Sequence, residues 1–178
     1  MICTKLVECV KNELTNQHIA SCTNPNAQCI EVSDRRSYVK CEERKKRYVL
    51  ENTQKSHVIL YKVDGGVVLQ DKTVPQGMCR CDYLFVIHGE MAEAIFTELK
   101  GVDVAHSLKQ IEGTLTQYKS FLSQFAHVYG RVIVSSSTPD IKASPAYVNL
   151  SRKLRNTYKG NLKIVKMQFT EKDTELSM

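Results

Sequence analysis

The sequence predicts an α/β protein in which a mixed sheet is covered by helices on both faces. After a helix in front, the chain has a run of predicted strands followed by the order α, β, α, β. The hydrophobic share of 42% and the charged share of 25% are those of an ordinary globular protein. A length of 178 residues suits one core, so we expect a single domain over residues 1–178.

The first half of the chain predicts one helix followed by short strands. Apolar residues recur at helical spacing at Ile2, Leu6, Val10 and Leu14. The turn-forming segment CTNPNAQC (22–29) ends that pattern. Later segments are predicted as strands SYVKC (37–41), RYVLE (47–51) and HVILYKV (57–63), a hairpin to VVLQD (67–71) through a glycine pair, and a loop KTVPQGMCR (72–80).

The segment CDYLFVIHGEMAEAIFTELK (81–100) predicts two antiparallel strands joined by a tight turn. We expect strands at roughly 81–87 and 93–100, with the turn near Gly89. Paired residue numbers then sum to about 180, which places Asp82 opposite Glu98.

The second half predicts two helices and two strands. The apolar period changes to that of an amphipathic helix of about 22 residues from Val104, with Asp103 as its N-cap. The β-branched run RVIVSSS (131–137) predicts a buried strand. A helix is predicted from Pro145 to about Tyr158, and NLKIVKMQF (161–169) predicts a final strand.

The net charge of +6 is unevenly distributed. From residue 141 to residue 170 the chain has no acidic residue and has the cations Lys142, Arg152, Lys153, Arg155, Lys159, Lys163 and Lys166. A second basic group is Arg35, Arg36, Lys40, Arg44, Lys45, Lys46 and Arg47. Such surfaces favour a polyanion, and nucleic acid rather than a membrane, because no amphipathic anchor accompanies them. A merely solvated basic face is the alternative.

The sequence predicts a cytoplasmic protein. It has no apolar run of 18 residues, and Lys5 and Glu8 come too early for a signal-peptide core. The seven cysteines include no C-x-x-C pair, and buried thiols are their expected state. A zinc site is left open as an alternative, with the ligands Cys22, Cys29, Cys41 and His18.

One group of residues carries recognisable chemistry. Side chains alternate along a strand, so Glu98 and Lys100 point to the same face as Phe96, whereas Leu99 points away. With Asp82 opposite, two hard oxygen ligands can hold Mg²⁺ or Mn²⁺. Bound to the ion, a water becomes a stronger nucleophile, and the lysine can orient it. An exposed E-x-K pair is more often a surface ion pair, which is the alternative interpretation.

The segment CDYLFVI…AIFTELKGVDVAHSLKQIEGT (81–114) resembles the active-site core of the PD-(D/E)xK, or restriction endonuclease-like, nuclease superfamily. The resemblance implies a mixed central sheet flanked by helices, a catalytic core at about 57–137, and Mg²⁺-dependent cleavage of DNA or, less often, RNA. It matches Asp82 to the first metal-binding acid, Glu98 to the second, Lys100 to the catalytic lysine, and Gln110 to a polar helix residue directed toward the site.

Two features depart from that family's pattern. Cys81 stands where many members have a proline, and no acidic residue clearly corresponds to the one that some members supply from an N-terminal helix. Glu43 and Glu51 are candidates for that position. Asp64 is a candidate further ligand, although its VDGG sequence favours a turn.

The sequence therefore predicts a nuclease that hydrolyses phosphodiester bonds, DNA before RNA, by Mg-activated water. Arg80, Arg152, Lys153 and Arg155 are the candidate nucleic-acid contacts. The main alternative is a nucleic-acid-binding or assembly module that keeps the fold without cutting. A cysteine-based metal or redox protein is a third hypothesis. Whether the chain forms a homodimer to cut both strands is left open.

Overall fold

The computed structural model describes residues 3–16, 28–69, 75, 77–100, 102–136 and 140–178. The main sheet has six strands: β1 (Ile30–Asp34), β4 (His57–Lys62), β5 (Tyr83–His88), β6 (Ala92–Lys100), β7 (His127–Val134) and β8 (Leu162–Lys166). The second sheet has three: β2 (Tyr38–Glu43), β3 (Lys46–Glu51) and β9 (Gln168–Lys172). The helices are α1 (Leu6–Thr15), α2 (Val104–Gln117), α3 (Lys119–Leu122) and α4 (Pro145–Tyr158), with 3₁₀ turns at Ile141–Ala143 and Asp173–Glu175.

The main sheet is mixed, as the sequence predicts. Its strand order is β1-β4-β5-β6-β7-β8, antiparallel from β1 to β6 and parallel from β6 to β8. Parallel neighbours need a crossover connection, and here α2 joins β6 to β7 while α4 joins β7 to β8. The C-terminal ends of β6, β7 and β8 therefore lie side by side at one end of the main sheet.

The two faces of the main sheet are covered differently. Phe96 and Val132 pack in one apolar cluster with the buried residues of all four α-helices. Ile95 and Ile133, one residue away along the same strands, pack in a second cluster against the β2-β3-β9 sheet. The expectation of helices on both faces is therefore wrong for the described part of the chain, where a small sheet takes the place of the second helical layer.

A break in the last predicted strand brings β9 into this second sheet. The predicted strand 161–169 is two strands, which separate at Met167 with a φ of 65°. A β-branched or bulky residue rarely adopts this left-handed conformation, and its occurrence marks a break in the strand. β8 stays in the main sheet, and β9 joins β3 in the second sheet.

Several other predicted elements change in detail. The predicted helix from Val104 divides into α2 and α3 at Tyr118. The predicted hairpin to 67–71 is wrong in its described part, where only an isolated bridge joins Asp64 and Val68. Strand β1, which the sequence patterns do not single out, forms one edge of the main sheet.

The β5–β6 hairpin has the predicted register. Tyr83 pairs with Thr97 and His88 with Ala92, so paired numbers sum to 180. The carboxylate of Asp103 accepts a hydrogen bond of 2.9 Å from the backbone N–H of His106 and caps α2 immediately after β6. This register and cap place the start of α2 beside the end of the hairpin.

No helix in the described ranges is both long enough and apolar enough to cross a membrane.

Candidate active site

Two carboxylates meet where β5 begins and β6 ends. The backbone N–H of Asp82 donates to Oε2 of Glu98 at 3.2 Å. The backbone N–H of Leu99 donates to Oδ2 of Asp82 at 2.7 Å. Each acid is therefore held by the backbone of the other strand, as the register predicts. The register of the hairpin therefore brings the two acids together at one end of the main sheet.

Burial makes this pair electrostatically unusual. Glu98 is 2% exposed, and among the described residues neither acid forms an ion pair within 4.0 Å. Burial, followed by the charge of Asp82, raises the pKa of Glu98 to about 9. Burial, assisted by the charges of Glu43 and Asp64, raises the pKa of Asp82 to about 6. Additional positive charge at this place would stabilise both ionised carboxylates.

Lys100 supplies only part of that charge. It is half-buried at the end of β6 and lies two residues from Glu98, on the same face of the strand. Its ammonium lowers the pKa of both Glu98 and Asp82, so it is near both carboxylates. It forms no ion pair with either of them, so its ammonium lies more than 4.0 Å from their oxygens.

A cleft of about 530 Å³ opens beside Asp82. Its lining residues are Glu43, Lys62, Asp64, Gly65, Asp82 and Tyr83. Asp64 lies in the turn after β4, and its carboxylate accepts a hydrogen bond from Nε of Arg80. Of the two candidate acids, Glu43 reaches this cleft at the end of β2. Glu51 does not, because it pairs with Tyr38 at the opposite end of the β2–β3 hairpin.

Helix α2 holds the segment that leads into Asp82. The backbone N–H of Arg80 donates to Oε1 of Gln110 at 2.6 Å, and the N–H of Cys81 donates to Oγ1 of Thr114 at 2.8 Å. Gln110 Nε2 lies 2.8 Å from Nε2 of His106. Gln110 therefore contacts the backbone before Asp82 rather than either carboxylate.

Thr114 and Gly113 belong to this support, although the sequence interpretation did not identify them. A Cβ on Gly113 would lie 2.3 Å from Cβ of Cys79, so only glycine permits this close approach. Residues 110, 113 and 114 share one face of a helix because they are separated by three and four positions. The sequence spacing shows that these three residues share a helix face, but it does not show that this face contacts the segment 79–81.

Three of the four basic residues predicted to contact nucleic acid lie away from the acids, whereas Arg80 is paired with Asp64 beside the cleft. Arg152, Lys153 and Arg155 lie in the second half of α4, and Lys153 Nζ contacts Oγ1 of Thr116 at 3.1 Å, near the far end of α2. α4 runs back toward the start of β7, where the carbonyl of Lys159 lies 3.0 Å from Nδ1 of His127. These three cations therefore lie at the end of the main sheet away from the acids, and their role as nucleic-acid contacts stays a prediction.

The alternative zinc site gains no support in the described residues. His18 and Cys22 lie outside the described ranges. Cys41 is buried beneath the main sheet, and burial raises the pKa of its thiol far above the ordinary value. No group of three or more His, Cys, Asp and Glu side chains is arranged to hold a metal ion within the described ranges. A pair such as Asp82 and Glu98 falls below that number.

Comparison of the chain with protein-family models, with curated proteins and with solved structures finds no match.

Proposed function

We propose that the protein is a metal-dependent nuclease that hydrolyses phosphodiester bonds of nucleic acid, DNA before RNA. The observation that carries this proposal is the meeting of Asp82 and Glu98 across the β5–β6 hairpin, with Lys100 on the same face and no cation paired with either acid in the described ranges. We also propose that the mixed sheet with α2 after the E-x-K strand is a restriction endonuclease-like core.

The donor set fits Mg²⁺ or Mn²⁺. Both ions prefer oxygen ligands, and Mg²⁺ commonly uses only one or two carboxylates together with waters and substrate phosphate. Asp82 and Glu98 are the residues that would hold the ion. Glu98 is buried with no cation paired to it, so its ionisation is costly, and a divalent cation would lower that cost. When bound, the ion would lower the pKa of water and neutralise charge on the phosphate.

The other residues of the site have separate tasks. The ammonium of Lys100 is near both carboxylates without an ion pair to either, so it could orient an attacking water or stabilise negative charge on the phosphate oxygens. Gln110 is a positioning residue, because it holds the backbone of Arg80 and thereby the entry into Asp82. The unbridged thiols Cys3, Cys41, Cys79 and Cys81 suit a reducing compartment, and the proposal includes a cytosolic location.

The second candidate function is a nucleic-acid-binding module that does not cut. It is favoured by the raised pKa of Glu98, since a protonated acid that accepts the Asp82 N–H is stable without any metal. The two functions differ in whether a divalent ion binds to the pair of acids and in whether phosphodiester bonds are broken.

A cleavage assay distinguishes the two functions. Purified protein is incubated with plasmid DNA and with RNA of the same length, in Mg²⁺ or Mn²⁺ and in EDTA. We expect metal-dependent cleavage that falls at least about 100-fold in Asp82→Asn, Glu98→Gln and Lys100→Ala. Glu90→Gln, an exposed acid at the other end of the same hairpin, is the matched control and should cleave normally.

Binding measured in parallel separates chemistry from affinity. Lys100→Ala should bind labelled DNA as the wild-type protein does while losing cleavage. Binding without cleavage by the wild-type protein in either metal would replace the nuclease with the binding module.

A further inference from the structure

Two lysines, Lys100 on β6 and Lys166 on β8, lie at the same end of the main sheet as the pair of acids. Lys100 on β6 pairs with Val134 on β7, and Val134 pairs with Lys166 on β8. Paired residues of parallel strands point to the same face, and Val134 packs in the helix-side cluster. Lys100 and Lys166 therefore project on one face, two strand spacings or about 10 Å apart.

A surface groove of about 440 Å³ lies beyond Val134. Its lining residues are Val134, Asp140, Ile141, Lys142, Ala143, Ile164, Val165 and Lys166. Lys142 comes from the 3₁₀ turn before α4 and faces the same groove as Lys166. Both lysines are exposed, and neither forms an ion pair or a side-chain hydrogen bond with any described residue. The groove is lined by apolar residues, by two lysines and by one acid, Asp140, which offsets part of their positive charge.

Acidic and basic side chains are separated at this end of the main sheet. The carboxyl groups of Asp82, Glu98, Asp64 and Glu43 cluster around the β4–β5 end, whereas Lys100, Lys142 and Lys166 place positive charge toward β8. A polyanion would be repelled by the acids and needs cations beside them to be held. The groove is open and has few hydrogen-bonding side chains, so it suits a phosphate backbone rather than base edges.

We propose that Lys142 and Lys166 bind the nucleic-acid backbone on the β8 side of the scissile bond, through phosphates and without reading sequence. This inference rests on the proposed nuclease function. It assigns the contacts with the nucleic-acid backbone to two lysines at the same end of the main sheet as the acids. The arginines in the second half of α4 are not assigned such contacts.

The test is the salt dependence of DNA binding. A short fluorescein-labelled DNA duplex is titrated with protein in EDTA at salt concentrations from about 50 to about 200 mM. The variants are Lys142→Gln/Lys166→Gln and, as the matched control, Arg152→Gln/Arg155→Gln, which removes the same charge from exposed positions at the far edge. Thermal unfolding of each variant checks that it is folded.

We expect the lysine pair to weaken binding at low salt at least about tenfold and to reduce the slope of log K against log salt by about 1.8, which is about 0.9 for each lost phosphate contact. The arginine pair should leave the slope unchanged. An equal effect of both pairs, an effect of the arginine pair alone, or no effect of either would overturn the proposal.

The same proteins, assayed for cleavage in Mg²⁺, separate this inference from the nuclease function. If the wild-type protein does not cleave but the lysine pair alone changes the slope, the nuclease function fails and the backbone contact stands. If the wild-type protein cleaves and the lysine pair changes neither slope nor cleavage rate, only the backbone contact fails.

Discussion

Two buried glutamates in this protein have opposite surroundings. Glu171, on β9, is 5% exposed and is surrounded by donors. It accepts from Nε and Nη2 of Arg131, from Nζ of Lys163 at 2.9 Å, and from the hydroxyl of Tyr48 at 2.8 Å. Glu98, on β6, is 2% exposed and has the carboxylate of Asp82 opposite it. The same side chain is neutralised at one place and left uncompensated at the other.

The difference contrasts a pair that holds the two sheets together with the pair of acids in the proposed site. Arg131 and Glu171 join β7 of the main sheet to β9 of the second sheet, and Arg131 also donates to the carbonyl of Leu176 at 3.1 Å. Removal of one partner from such a buried, hydrogen-bonded ion pair is strongly destabilising. Glu98 and Asp82 cost folding free energy as long as no cation joins them, and such a cost is typical of sites that bind or react.

The largest predicted effect comes from breaking the compensated pair. Arg131→Met leaves Glu171 buried without its main partner and should lower the free energy of unfolding by about 3 to 5 kcal/mol, as measured by urea denaturation. Arg131→Met/Glu171→Leu removes both charges and should recover part of this loss. A single variant within about 1 kcal/mol of the wild-type protein would contradict the assignment of this pair to the fold.

The next effect is the stabilisation by divalent metal at the uncompensated pair. Mg²⁺ at about 100 times its dissociation constant should raise the free energy of unfolding by about 2.7 kcal/mol. The gain should be larger at high pH than at low pH, because the ion competes with the protons that Glu98 and Asp82 hold. Thermal shift with Mg²⁺ against EDTA measures it, and Asp82→Asn/Glu98→Gln should show no gain. An equal gain in that double variant would place the ion elsewhere.

A single substitution should then have opposite signs at the two glutamates. Glu98→Gln keeps a carbonyl for the Asp82 N–H and removes the cost of burying a charge, so it should stabilise the metal-free protein at high pH by about 2 kcal/mol. Glu171→Gln leaves Arg131 buried with less compensation and should destabilise it. Both are measured by urea denaturation in EDTA. Stabilisation of both variants, or of neither, would remove the contrast between the two sites.

The hairpin at the site could be predicted from sequence, whereas most of its surroundings could not. Alternation fixes which side chains share a face, and the short turn fixes the register, so the approach of Asp82 and Glu98 follows from local rules. The cap at Asp103 is equally local. These features depend only on residues close together in sequence.

The second sheet and the location of the α4 arginines depend on contacts between segments that are distant in sequence. The left-handed Met167 sends β9 to β3, more than a hundred residues earlier in the chain, and no pattern within 161–169 indicates that choice. The helical run at 145–158 was predicted, but its direction relative to the site was not, so the sequence did not show that the arginines of α4 lie away from the acids. Composition shows that a surface is basic and does not show where that surface lies.

The smallest predicted effect separates the two acids by pH. A raised folded pKa means that the native protein holds a proton that the unfolded chain releases, so stability falls as pH rises. For Asp82 the fall runs from about 3.8 to about 6, and for Glu98 from about 4.5 to about 9. Asp82 is less buried than Glu98 and Lys100 offsets part of its cost, so we expect about 1 kcal/mol from Asp82.

Urea denaturation in EDTA from about pH 4 to about pH 9 measures how the free energy of unfolding falls with pH. Subtraction of each variant's curve from that of the wild-type protein isolates the contribution of one acid, because the histidines contribute equally to both curves. Asp82→Asn should flatten the lower window, and it should also shorten the upper one, because the charge of Asp82 is the second cause of the raised pKa of Glu98. Glu98→Gln should remove the fall between about pH 6 and about pH 9. If Asp82→Asn leaves the upper window unchanged, the two carboxylates do not interact, and the basis for a shared cation is lost.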